Sequence, residues 1–125
     1  MILADTSVWA DHFRGNDAVM ERLLDLTSIL MHPLVLGEIA MGSLHRRAAL
    51  LKALGKLPGV EVARHEEAMA LIEREQLHGL GIGYIDVHLL ASTLLTPDAR
   101  LWTRDRRLRD VAARFGIAAE PWGRR

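Results

Sequence analysis

The sequence predicts an α/β domain with a mostly parallel sheet covered by helices on both faces, and three observations carry that expectation. Short apolar runs alternate with segments of helical period along the chain, as repeated strand–helix units require. A length of 125 residues suits one domain, 1–125. At this size about two thirds of the unfolded surface is buried, so a core without staples is expected. Hydrophobic residues make up 50% and charged residues 26%, a balance that excludes a disordered tail, a collagen-like chain or a low-complexity linker.

The elements follow in order. Ile2-Leu3-Ala4 is a buried strand that stops at Asp5-Thr6-Ser7, after which Val8, Trp9, His12 and Phe13 recur at helical spacing as far as Gly15. A second helix from Asp17 to Leu26 lines up Val19, Leu23 and Leu26, and residues 28–32 read as a second strand. Pro33 opens a third helix that runs to Met41 and ends at Gly42; a more charged helix is expected from Ser43 to about Leu57. Pro58-Gly59 is a turn, 60–62 a short third strand, and His65–Leu77 a helix with Ala68, Leu71, Ile72 and Leu77 inward. Glycines 79, 81 and 83 break that helix and read as a flexible connection, because they follow no strand and lack a phosphate-loop ending. Tyr84–Thr96 is the most apolar helix, 100–103 the fourth strand, Asp105–Phe115 the last helix, and 117–119 a fifth, edge strand before a loose tail. Trp9 and Trp102 are expected in the core, and His12, His32 and His88 are expected to pack rather than react.

The chemistry is bounded by what is missing. With no cysteine, thiolate nucleophiles and cysteine-based zinc sites are excluded, and hard cations on oxygen ligands become the natural metals. No apolar run approaches the roughly 18 residues that span a bilayer, and no basic segment precedes the first apolar run, so a cytoplasmic location away from membranes is expected. The formal net charge is zero, yet eight arginines fall from Arg100 onward.

Four acids break the local pattern: Asp5 just past the first strand, Asp86 in the first turn of the apolar helix, Asp105 just past the fourth strand, and Glu38 as the single charge of an apolar helix. Each of the aspartates alone reads better as a helix cap or a first-turn acid favoured by the macrodipole, and Glu38 reads equally well as a partner of an arginine. Together they suggest a cluster outside the carboxyl ends of parallel strands, where ligands of such sheets bind. Like charges so gathered need a cation, and Mg²⁺ or Mn²⁺ suits them. Thr6, Ser7 and Thr103 are placed to orient the carboxylates or simply to cap. Arg104, Arg106, Arg107 and Arg109 are candidate phosphate contacts or a solvated helix face.

The segments Ile2-Leu3-Ala4-Asp5-Thr6-Ser7-Val8-Trp9, His32-Pro33 through Gly37-Glu38 to Gly42, Gly81 through Asp86-Val87-His88 to Ser92, and Leu101-Trp102-Thr103-Arg104-Asp105 together resemble PIN-domain ribonucleases, specifically VapC-type toxins of toxin–antitoxin pairs. The resemblance spans nearly the whole chain. It implies a three-layer α/β/α sandwich with a sheet of four to five strands, and Mg²⁺ or Mn²⁺ held by Asp5, Glu38, Asp86 and Asp105, with Thr103 behind them. It also implies a homodimer, an RNA substrate, and a cognate antitoxin that covers the site. The reaction expected is hydrolysis of RNA phosphodiester bonds by a metal-activated water, leaving 5′-phosphates. An aspartyl-phosphate phosphatase fits poorly, since Ser7 stands where a second aspartate is needed. A non-catalytic module that binds a basic protein segment in its acidic pocket is the alternative.

Overall fold

A computed structural model describes residues 1–121. The elements are β1 (Ile2–Ala4), α1 (Thr6–Gly15), α2 (Ala18–Asp25), β2 (Ile29–Leu30), α3 (Pro33–Ala40), α4 (Arg47–Leu54), α5 (His65–Glu75), α6 (Tyr84–Leu95), β3 (Arg100–Trp102) and α7 (Arg106–Arg114). The sheet is parallel in the order β2-β1-β3, with Leu3 opposite both Leu30 and Leu101. The chain leaves β1 to one side and later returns to the other, so the strand order reverses at β1/β3, the place where a crevice opens in such sheets.

Successive strand residues point to opposite faces of a sheet. Leu3 and Ala4, Ile29 and Leu30, and Leu101 and Trp102 are all buried, so both faces are covered and the expected α/β layering holds. The most apolar helix, α6, is buried continuously from Val87 to Thr93, as a helix apolar all round must be. Trp9 and Trp102 are each 1% exposed and sit in the core as expected. His32 and His88 are also buried, and His12 packs edge-on to Trp9 while its Nδ1 accepts the Asp17 N–H.

Three strands form among the described residues, fewer than the four to five expected. The strand expected at 60–62 does not form; a single parallel bridge, Met31 to Gly59, lies just ahead of it. Beyond it the Glu61 N–H donates to Thr96 Oγ1 at 2.9 Å and the Ala63 N–H to Ser92 Oγ at 2.9 Å. Hydroxyls of α6 and of Thr96 at its C-terminal end thus take the donors that a ladder would have used. At the other margin 117–119 contributes one bridge, Leu101 to Ala118, with hydrogen bonds on either side of Leu101. The helix expected from Ser43 begins only at Arg47, because Arg46 adopts a left-handed conformation (φ 52°) that breaks helical continuity ahead of it. Likewise α5 stops at Glu75, before Leu77, where Gln76 turns left-handed. The expected loose tail, 123–125, lies outside the described residues.

A candidate carboxylate site at the strand ends

Asp5 follows β1 and caps α1. Its Oδ1 accepts the Val8 N–H at 3.3 Å and the Ser7 hydroxyl at 2.5 Å, while its Oδ2 accepts the Thr103 hydroxyl from the end of β3. The residue is 6% exposed. Burial pushes its pKa above the ordinary carboxylate value, and the bonds from Ser7, Thr103 and the backbone oppose that rise without cancelling it.

Two hydroxyls stitch the turn after β3 to the turn after β1. Thr103 Oγ1 donates to Asp5 and accepts the Asp105 N–H at 3.0 Å. Ser7 Oγ donates to Asp5 and accepts the Arg104 N–H at 2.9 Å. Asp105 caps α7 through Oδ1, which accepts the Leu108 N–H at 3.1 Å. Capping and site membership are compatible here, since a cap uses one carboxylate oxygen.

Asp86 lies in the first turn of α6, its Oδ2 accepting the Gly83 N–H at 2.9 Å. Its pKa is raised first by burial, then by the negative charges of Asp5, Asp105 and Glu38. The four acids therefore share one electrostatic neighbourhood, with Asp86 in the field of the other three. Glu38 comes from α3 and is exposed, so its charge meets solvent although the helix that carries it is apolar. Its Oε1 accepts the Thr6 hydroxyl at 2.6 Å, with no arginine involved. Among the described residues no three acidic or imidazole groups are close enough to enclose an ion by themselves.

The arginines divide. Arg104 directs its guanidinium to α1 and the start of α2, Nε to Asp11 at 3.0 Å and Nη2 to Asp17 at 2.7 Å, with its Cζ 5.2 Å from the Trp102 ring centre. Arg106, Arg107 and Arg109 are exposed and form no ion pair among the described residues. The Arg107 side chain lies across Gly81, where a Cβ would fall 2.5 Å from its Nη1; Gly81 also has φ +81°. The exposed arginine can move aside, so it is the positive φ that favours glycine there. The pairing of Arg104 with Asp11 and Asp17 escaped the sequence reading. Asp17 is recognisable as a helix cap, but nothing local ties it to a residue 87 positions away.

This geometry, acids after two adjacent parallel strands at the reversal of strand order, coincides with a family match: the PIN domain family model covers residues 2–114. The chain belongs to the PIN-domain family. It is 44% identical over 118 residues to Ribonuclease VapC32 of Mycobacterium tuberculosis, in both strain CDC 1551 / Oshkosh and strain ATCC 25618 / H37Rv, covering 94% of this chain and 95% of each relative. No helix of the described residues is long and apolar enough to cross a membrane.

Proposed function

We propose that the protein is a divalent-metal-dependent endoribonuclease, the toxin of a toxin–antitoxin pair, acting in the cytoplasm as a homodimer until an antitoxin covers its site. The observation that carries this reading is the placement of Asp86 in the field of Asp5, Asp105 and Glu38 at the carboxyl ends of the parallel strands. Similarity to a protein named as a ribonuclease supports it.

The donor set fits Mg²⁺ or Mn²⁺. All candidate ligands are carboxylate oxygens, and Mg²⁺ commonly takes one or two carboxylates, keeping waters and substrate oxygens in its other positions. An enclosing three-ligand cage is therefore not required. Asp5 and Asp86 are the first-choice ligands, with Glu38 and Asp105 completing the acidic wall. A bound cation would supply a lowered water pKa and charge stabilisation at the phosphate.

The chain's own residues do the positioning. Ser7 and Thr103 hold both Asp5 oxygens, fixing the rotamer of a carboxylate that burial has already stripped of water. Thr6 holds one oxygen of the exposed Glu38, Oε1. Asp86 Oδ2 is tied to the Gly83 N–H, which leaves Oδ1 for a ligand. Arg106 and Arg107 are the phosphate contacts, and Arg107 lies across Gly81. Water adds to phosphorus, the bond to the 3′ oxygen breaks, and the products are a 5′-phosphate and a 3′-hydroxyl.

The test is cleavage of total RNA by partner-free wild-type and Asp5→Asn proteins with Mg²⁺, with Mn²⁺ and with chelator. Metal-dependent cutting that the substitution removes is expected. Absence of cutting by folded, metal-supplied wild-type protein on any RNA overturns the reading in favour of a non-catalytic module that binds a basic partner.

A further inference from the structure

The turn between β3 and α7 delivers three groups to the site within three residues: the Thr103 hydroxyl, the Arg104 N–H through Ser7, and the Asp105 carboxylate. The β1–β3 register ends at Ala4 opposite Trp102, and the last backbone bond between the two, the Asp5 N–H to the Trp102 carbonyl at 3.0 Å, leaves the peptides from Arg104 onward to side-chain contacts. What holds it on the far side is the Arg104 side chain. Its Nε and Nη2 reach two carboxylates on two different elements, Asp11 of α1 and Asp17 at the start of α2. Asp17 is itself pinned, because its other oxygen caps α2 through the Met20 N–H at 2.9 Å. The guanidinium also lies over Trp102, the last residue of β3. A planar fork can satisfy all three contacts at once, which an ammonium cannot.

We propose that Arg104 is a positioning residue for the carboxylate site: anchored by Asp11, Asp17 and Trp102, it fixes the turn so that its own N–H holds Ser7 on Asp5. It is not a phosphate contact. The chain of contacts runs from Asp11 and Asp17 through the guanidinium to the Arg104 backbone, then to Ser7 Oγ and Asp5 Oδ1. For its activity arm the proposal rests on the nuclease reading; its structural arms do not.

The experiment compares wild type, Arg104→Gln, the pair Asp11→Asn with Asp17→Asn, and all three together. Asparagine caps a helix about as well as aspartate, so the paired variant keeps α2 intact and guards against a misfolded Arg104→Gln protein. Amide hydrogen exchange in the metal-free protein is the first readout. Exchange at positions 104 and 105 is expected to quicken about tenfold in Arg104→Gln and in the paired variant, with Leu3 and Leu101 unchanged, since local openings are read residue by residue. The triple variant should be no worse than either, because the groups act as one unit.

Mn²⁺ affinity by calorimetry should fall about tenfold, the size expected when support behind a metal ligand is lost. Single-turnover cleavage should slow about 10- to 100-fold while KM for RNA and the salt dependence of binding stay unchanged. A raised KM with a salt slope reduced by about one is the signature of a lost phosphate contact and overturns the proposal. Unchanged exchange at position 104 overturns it as well. If wild type cuts no RNA, the nuclease reading falls, and exchange with Mn²⁺ affinity alone decides the role of Arg104.

Discussion

The Thr103 hydroxyl donates to Asp5 Oδ2 across the carboxyl ends of β1 and β3, joining residues 98 positions apart. Both are almost wholly buried, Thr103 at 3% and Asp5 at 6% exposed. Thr103→Val keeps the shape and removes the donor. Loss of about 1–3 kcal/mol is expected, as for a buried charged group that loses a hydrogen bond, together with a further rise in the Asp5 pKa. Thermal melts and carboxyl titration by carbon NMR check both.

Asp86→Asn should separate stability from activity. The carboxylate is disfavoured by burial and then by three like charges, so removing its charge relieves strain in the metal-free protein while Asn Oδ1 still accepts the Gly83 N–H. A Tm higher by about 2–4 °C without metal is expected, with cleavage abolished. A lower Tm combined with normal cleavage would remove Asp86 from the site.

Divalent metal should stabilise the protein by mass action, about 3 kcal/mol at a hundredfold excess over Kd, and chelator should reverse it. Protons compete for the same carboxyls. Because the pKa values of Asp5 and Asp86 are raised in the fold, the gain should fade on acidification at a higher pH than ordinary carboxylates would give. In the metal-free protein the sign is opposite: the folded state takes up these protons preferentially, so their contribution to stability improves as pH falls through the raised values. Melts with and without Mg²⁺ across pH distinguish the two trends.

His32 sets a separate acid limit. Its Nδ1 accepts the Leu34 N–H at 2.9 Å, so the proton sits on Nε2, which faces Ser92 Oγ at 3.1 Å. Burial, then the neighbouring His88, lowers its pKa from 6.5 to about 4. The unfolded chain therefore binds a proton before the folded one does. Stability is full above pH 6.5 and is lost on the way down to about 4, by about 3 kcal/mol in total. His32→Asn keeps a cap acceptor and cannot titrate, so its denaturation midpoint should lose this acid limb. An unchanged limb would place the effect elsewhere.

Local pattern carried most of the fold into view. Asp5, Asp17 and Asp105 marked helix starts by their chemistry, Pro33 opened α3, and the unbroken apolar run of α6 announced its burial. The strand count was less legible, because whether Glu61 and Ala63 pair with a strand depends on the Thr96 and Ser92 hydroxyls more than 25 residues away. Site residues stood out as acids beside apolar runs, yet exposure could not be read: Glu38 looked buried because its helix is apolar, and it faces outward. Arg104 shows the same limit, since adjacency to Asp105 suggested phosphate while its side chain turns towards α1 and α2.

The hydroxyls of Ser92 and Thr96 have a consequence for how copies of this chain meet. An unpaired strand margin is a template on which another molecule can add a strand, and proteins that leave one open are prone to edge-to-edge aggregation. Here the donors of Glu61 and Ala63 are already turned inward to α6, so beyond the Met31–Gly59 bridge that margin offers an incoming strand no continuous row to read. The Ser92 hydroxyl of α6 and the Thr96 hydroxyl at its C-terminal end thus keep the sheet from growing at this margin.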